Sequence, residues 1–68
     1  MFLADAVDIN SASAEELARI NHIGPKLAHA IVDFRERHGR FRRPENLMLI
    51  RGISDGRFRQ IRAFVKTE

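Results

Sequence analysis

Sixty-eight residues with 44% hydrophobic content and no cysteine make one small soluble domain without disulfides, near the lower size limit at which an apolar core alone holds a fold, and no apolar run approaches the roughly 20 residues of a membrane span. The formal charge of +3 conceals an asymmetry: residues 1–34 carry Arg19 and Lys26 against Asp5, Asp8, Glu15, Glu16 and Asp33, whereas residues 35–68 carry nine arginines and Lys66 against Glu36, Glu45, Asp55 and Glu68. An arginine-rich half favours a phosphate-bearing partner, because guanidinium forks match phosphate oxygens.

Residues 1–8 read as a flexible arm, and the domain proper is drawn at 9–66. Val7 and Ile9 alternate with polar residues, so the arm is expected to lie extended over the core without forming an element of its own. Ala4-Asp5-Ala6 resembles the small-residue end of a secretory cleavage site, yet the charged start and long apolar region of a signal peptide are absent. Two readings stay open: a leader already removed, which makes the protein periplasmic or extracellular, or chance, which leaves it cytoplasmic.

Ser13-Ala14-Glu15-Glu16 is a capping box that starts a helix over 14–21. The stretch Ile20 to Leu27 then turns the chain. Apolar residues run into it through Leu17 and Ile20 and out of it through Leu27, Ile31 and Phe34, at helical spacing on both sides. Gly24 suits an N-cap and Pro25 the first helical position, so a second helix spans 25–38 and ends at Gly39 as a left-handed residue. Such a helix start, with Lys26 in its first turn, is an anion site in waiting. The basic connector Arg40 to Arg43 follows, with Phe41 expected in the core. Pro44 opens a third helix to about Ile50, Arg51 to Ser54 form a second hairpin, and a fourth helix runs from Asp55 to Lys66. Four short helices with short connections predict an all-α domain.

The strongest organising feature is a repeat at an offset of 30 residues. Glu15 matches Glu45, Leu17 matches Leu47, Ile20 matches Ile50, Ile23 matches Ile53, Ile31 matches Ile61 and Phe34 matches Phe64. All but the first are apolar, so the repeat preserves a core and duplicates one helix-hairpin-helix unit, 13–38 and 44–66, about a pseudo-twofold axis.

With the opening from Val7 to Leu17, the hairpins Ile20 to Lys26 and Ile50 to Asp55 resemble the tandem helix-hairpin-helix domain of the ComEA type, a family that includes bacterial DNA receptors of competence uptake. The resemblance covers about residues 7–66. It implies binding to double-stranded DNA without sequence preference, hairpin amides holding backbone phosphates across a minor groove, and no catalytic residues. Carried onto this chain, the DNA-binding residues are His22, Ile23, Gly24 and Lys26 in the first hairpin, and Arg51, Gly52, Ser54 and Arg57 in or beside the second. Family hairpins read apolar-x-Gly-apolar-Gly. Here His22 fills the first turn slot and Ser54 the second phosphate slot, so each hairpin has kept one glycine. A type II turn demands positive φ at its third residue, which His accepts better than most side chains. Ser54 is suited to cap the last helix with its own hydroxyl and Asp55 adds a negative charge there, so the first hairpin is expected to dominate DNA contact.

Other chemistry finds little support. His22, His29 and His38 lack a metal-ligand spacing and read as solvated, Asp33 and Glu36 beside Arg35 and Arg37 read as surface charges, and no nucleotide loop or nucleophile–base pair is present. The expectation is therefore no enzyme, no cofactor, no metal and no small-molecule substrate. Arg40 to Arg43 should lie at the end opposite the hairpins, as a solvated loop or a docking point for a protein partner. Two competing readings remain: a structural or protein–protein module, as in the similar domains of some extrinsic photosystem subunits, or the DNA-docking part of a nuclease or repair protein.

Overall fold

A computed structural model describes residues 6–67. Ser13 and Glu16 form the reciprocal cap predicted for the first helix: the Glu16 amide donates to Ser13 Oγ at 3.1 Å, and the Ser13 amide donates to Glu16 Oε1 at 2.9 Å. This helix, α1, is shorter than its apolar pattern suggested, Ala14–Ala18. The amides of Arg19 and Ile20 donate to Glu16 O and Leu17 O at 3.2 and 3.1 Å, a tightening of the last turn that leads directly into the hairpin. Helix α2 spans Gly24–His38. Gly39 follows with its amide on Arg35 O at 2.9 Å. Its φ of 91 is positive as expected, but ψ is −178, so the chain leaves extended and not through the left-handed helical region.

The second unit departs further from the predicted helices. Pro44–Leu49 is a 3-10 helix. Asn46 Oδ1 accepts from the amides of both Arg42 and Arg43 at 3.2 Å, Pro44 has no amide, and the short run closes on the Asn46–Arg43 and Leu47–Ile50 three-residue bonds. Helix α3 covers only Asp55–Ile61, followed by a 3-10 turn at Arg62–Phe64. Val65–Lys66 is then a strand, β2, which pairs in parallel with Val7–Asp8, β1, in the register Val7 to Val65 and Asp8 to Lys66. Val7 and Asp8 are therefore strand, where the sequence put them in a flexible arm. The Ala4-Asp5-Ala6 motif lies mostly outside the described residues.

The core follows the repeat. Leu17 and Leu47, Ile20 and Ile50, Ile23 and Ile53, and Ile31 and Ile61 are all buried, and Phe34 and Phe64 are both packed against them half-buried. Ile9, directly after β1, and Val65, in β2, are buried in that same core. Phe41, 1% exposed, stacks on Phe34 with ring centroids 5.3 Å apart. Its backbone is gripped by one side chain: Asn10 Oδ1 accepts from the Phe41 amide at 2.6 Å and Asn10 Nδ2 donates to Phe41 O at 3.0 Å. Arg35 Nη1 donates to Ile9 O at 2.9 Å, so it ties the N-terminal segment down, whereas Arg37 pairs with Asp33 on the surface at 3.2 Å. Two units, their connector and the segments that carry β1 and β2 thus form one all-α domain with a single two-residue strand pair among the described residues.

Candidate nucleic-acid interface

Each hairpin is a four-residue turn closed by the same bond. The Ile23 amide donates to Ile20 O at 3.0 Å, and the Ile53 amide donates to Ile50 O at 3.0 Å. The third residue has positive φ in both, 74 at His22 and 101 at Gly52, as a type II turn requires. His22 is the one positive-φ residue other than glycine among the described residues. A turn of this kind places the start of the following helix at the surface, and there the two units diverge.

At the first hairpin, Gly24 has φ 70, and a Cβ added to it would meet nothing within 4 Å. Glycine is thus demanded by the backbone angle, while the space outside it is open. No side chain caps α2. Its first amides, those of Gly24 and Lys26, have no acceptor within the helix, and the Lys26 side chain beside them is exposed. Ile23 contributes differently from what the family pattern implies: its side chain is core and its amide is spent on the turn. At the second hairpin, Ser54 Oγ accepts from the Arg57 amide at 3.2 Å and closes the helix start. Asp55 stands next to it, paired with Arg59 at 2.8 Å across an exposed helical turn.

The remaining site residues are divided between surface and support. Arg51, Gly52 and His22 are exposed, while Arg57 is half-buried. Ile23, Lys26, Leu27, Arg51, Gly52 and Arg57 line one shallow groove, so the two hairpins share a single face. Arg57 does more than border it. Its Nη1 donates to the carbonyl of His22 at 2.7 Å, across 35 residues of sequence. Leu27, expected only as an apolar position of the second helix, brings Cδ2 to 3.0 Å from where a Cβ on Gly52 would stand. The offset of 30 residues aligns Leu27 with Arg57, and that alignment was the available signal for both.

The connector lies one helix away. The 15 residues of α2 separate Gly24 from His38, a span of about 20 Å at about 1.5 Å per residue. His22, His29 and His38 are all exposed, and His38 rests on the Phe34 ring with centroids 4.4 Å apart. Among the described residues no group of three or more His, Cys, Asp or Glu is arranged to hold a metal ion, and no helix is long and apolar enough to cross a membrane.

The family model described as the helix-hairpin-helix motif matches residues 4–66. ComE operon protein 1 of Bacillus subtilis (strain 168) is 39% identical over 59 residues, which cover 87% of this chain and 29% of that protein. An uncharacterized protein of Haemophilus influenzae is 42% identical over 52 residues, 75% of this chain and 46% of the relative. The human endonuclease/exonuclease/phosphatase family domain-containing protein 1 is 38% identical over 66 residues, 97% of this chain but 12% of that protein. The chain thus spans less than half the length of each of these relatives. With a family match over nearly its whole length and two copies of the same turn in its backbone, the chain belongs to the helix-hairpin-helix family, as a tandem domain of the ComEA type.

Proposed function

We propose that this domain is a docking module for double-stranded DNA, held through backbone phosphates and without preference for base sequence. One observation carries the reading. Of the three α-helices among the described residues, α1 and α3 each have a serine hydroxyl on an N-terminal amide, and α2 has none. The longest helix therefore presents unsatisfied amides and the positive end of its dipole at Gly24 and Lys26, where a phosphate oxygen can accept. Lys26 and Arg51 add exposed positive charge on the same face, and family membership supports DNA as the phosphate source. The second hairpin contributes less, since Ser54 occupies one amide and Asp55 stands at the helix start.

The domain performs no chemistry of its own in this reading. Similarity to ComE operon protein 1 supports a role in DNA uptake during competence. The match to a human protein named for an endonuclease/exonuclease/phosphatase domain supports the alternative that such a module brings an attached catalytic domain to DNA. A protein-binding role has one observation behind it: Leu49, beside the second hairpin, is 69% exposed.

An NMR titration of the isotope-labelled chain with a random duplex tests the proposal. The amides of Gly24 and Lys26 should shift most, followed by those around Arg51 and Gly52, with little change from Arg40 to Arg43. Shifts concentrated at the connector or at Leu49, or none at all, would refute it.

A further inference from the structure

We infer that Arg57 is a positioning residue for the first hairpin: it belongs to a reciprocal pair of contacts through which the second helix of each unit holds the turn of the other. The inference rests on the DNA-docking reading for its functional consequence, though not for its geometry.

The 30-residue offset aligns Leu27 with Arg57 and His22 with Gly52. Both aligned pairs touch across the units. Leu27, in the first turn of α2, lies against Gly52 with Cδ2 3.0 Å from the Cβ position that glycine leaves empty. Arg57, in the first turn of α3, donates from Nη1 to His22 O at 2.7 Å. The chemistry at each end is matched. Where the turn residue lacks a Cβ, a leucine methyl fills the space. Where the turn residue is His22 and a Cβ is present, the reaching side chain is a guanidinium that takes the peptide carbonyl instead.

This accounts for the uneven glycine pattern of the two turns. Both turns have positive φ, at 74 and 101, and a Cβ at Gly52 would press on the Leu27 methyl at 3.0 Å, so that side chain would have to give by a few tenths of an ångström. It also gives Arg57 a task other than phosphate neutralisation. Its Nη1 is held at the surface on the carbonyl of the residue two before Gly24, so it sets where the Gly24 and Lys26 amides stand relative to Arg51. Phosphates along a duplex have fixed spacing, and a hairpin displaced from its partner loses simultaneous contact.

The test compares the unmodified chain with Arg57→Leu and with Arg57→Leu combined with His22→Gly, which copies the Leu27–Gly52 contact into the other half of the molecule. Duplex binding by fluorescence anisotropy over a range of salt gives affinity and slope, and amide exchange at Ile23 reports the turn without DNA. Arg57→Leu should weaken binding about fivefold and hasten exchange at Ile23. The double variant should return both to within about twofold of the unmodified chain, and the salt slope should stay the same throughout. A slope smaller by about 0.9 in both variants without recovery of affinity would make Arg57 a phosphate contact and overturn the inference. An unchanged affinity and exchange rate in Arg57→Leu would overturn it as well. If Arg57→Leu does not fold, folding of the double variant supports the reciprocal contact and its failure refutes it. If the unmodified chain binds no duplex, the DNA-docking reading fails, while exchange at Ile23 still decides the contact.

Discussion

Replacing Gly24 and Lys26 together by alanine should separate the two hairpins by function. Gly24 sits at φ 70, and an alanine forced to that angle costs about 1–2 kcal/mol of backbone energy. No clash adds to this, since the space around the new Cβ is empty to 4 Å. Lys26 is exposed and makes no ion pair among the described residues, so its removal should leave stability nearly unchanged. The double variant should therefore stay folded by circular dichroism. Binding should suffer more. The new methyl stands between the α2 amides and a phosphate, and one cationic contact is gone, so at least about 1.4 kcal/mol, or tenfold in affinity, should be lost. The matched control is Ser54→Gly with Asp55→Asn. It removes a cap worth a few tenths of a kcal/mol relative to glycine and an ion pair whose partners are both well exposed, so binding should be unchanged or stronger. Anisotropy titration on one labelled duplex measures both variants. Equal losses from the two would show that Ser54 and Asp55 contact DNA and that the uncapped start of α2 has no special part.

Four further outcomes follow from the same contacts. Changing Arg40, Arg42 and Arg43 to glutamine should alter duplex affinity by no more than about twofold, through the long-range field alone; a large loss with an intact fold would put DNA on the opposite face. Phe41→Ala should lower stability by about 3–5 kcal/mol in chemical denaturation, since the ring is fully buried against Phe34. Asn10→Ala should cost about 1–3 kcal/mol by stranding the amide and carbonyl of Phe41, and Asn10→Asp should rescue little because it cannot donate to that carbonyl at neutral pH. Gly52→Ala should lower the melting temperature more than Gly24→Ala, because at Gly52 a positive φ of 101 is joined by the Leu27 methyl at 3.0 Å.

The parts of this fold that were legible in the sequence are those written locally or twice. Ser13 and Glu16 announce their cap within four residues, and the duplicated Leu, Ile and Phe positions identify both turns and the core between them. The helix ends were harder for a physical reason. Phe58, Ile61 and Val65 suit helical spacing, yet Val65 is strand because Val7 lies alongside it, a contact between opposite ends of the chain that periodicity cannot register. Asn10 on Phe41 and Arg57 on His22 are also contacts across more than 30 residues, made by polar side chains with no local signature. At the site, residue types that suit phosphate chemistry were visible, but their allocation was not. Ile23 spends its amide on the turn and Arg57 spends a donor on a carbonyl, and both facts depend on where the other unit sits.

Salt dependence of binding to unrelated duplexes bears most directly on the central claim that backbone phosphates, and not bases, are held at the first hairpin. Two duplexes of about 20 base pairs with different sequences should bind equally well, with log affinity falling linearly in log salt at a slope of roughly −3 to −4 if about four phosphates are neutralised. Binding that tells the two sequences apart, a slope near zero, or no binding to either duplex at about 50 mM salt would contradict it.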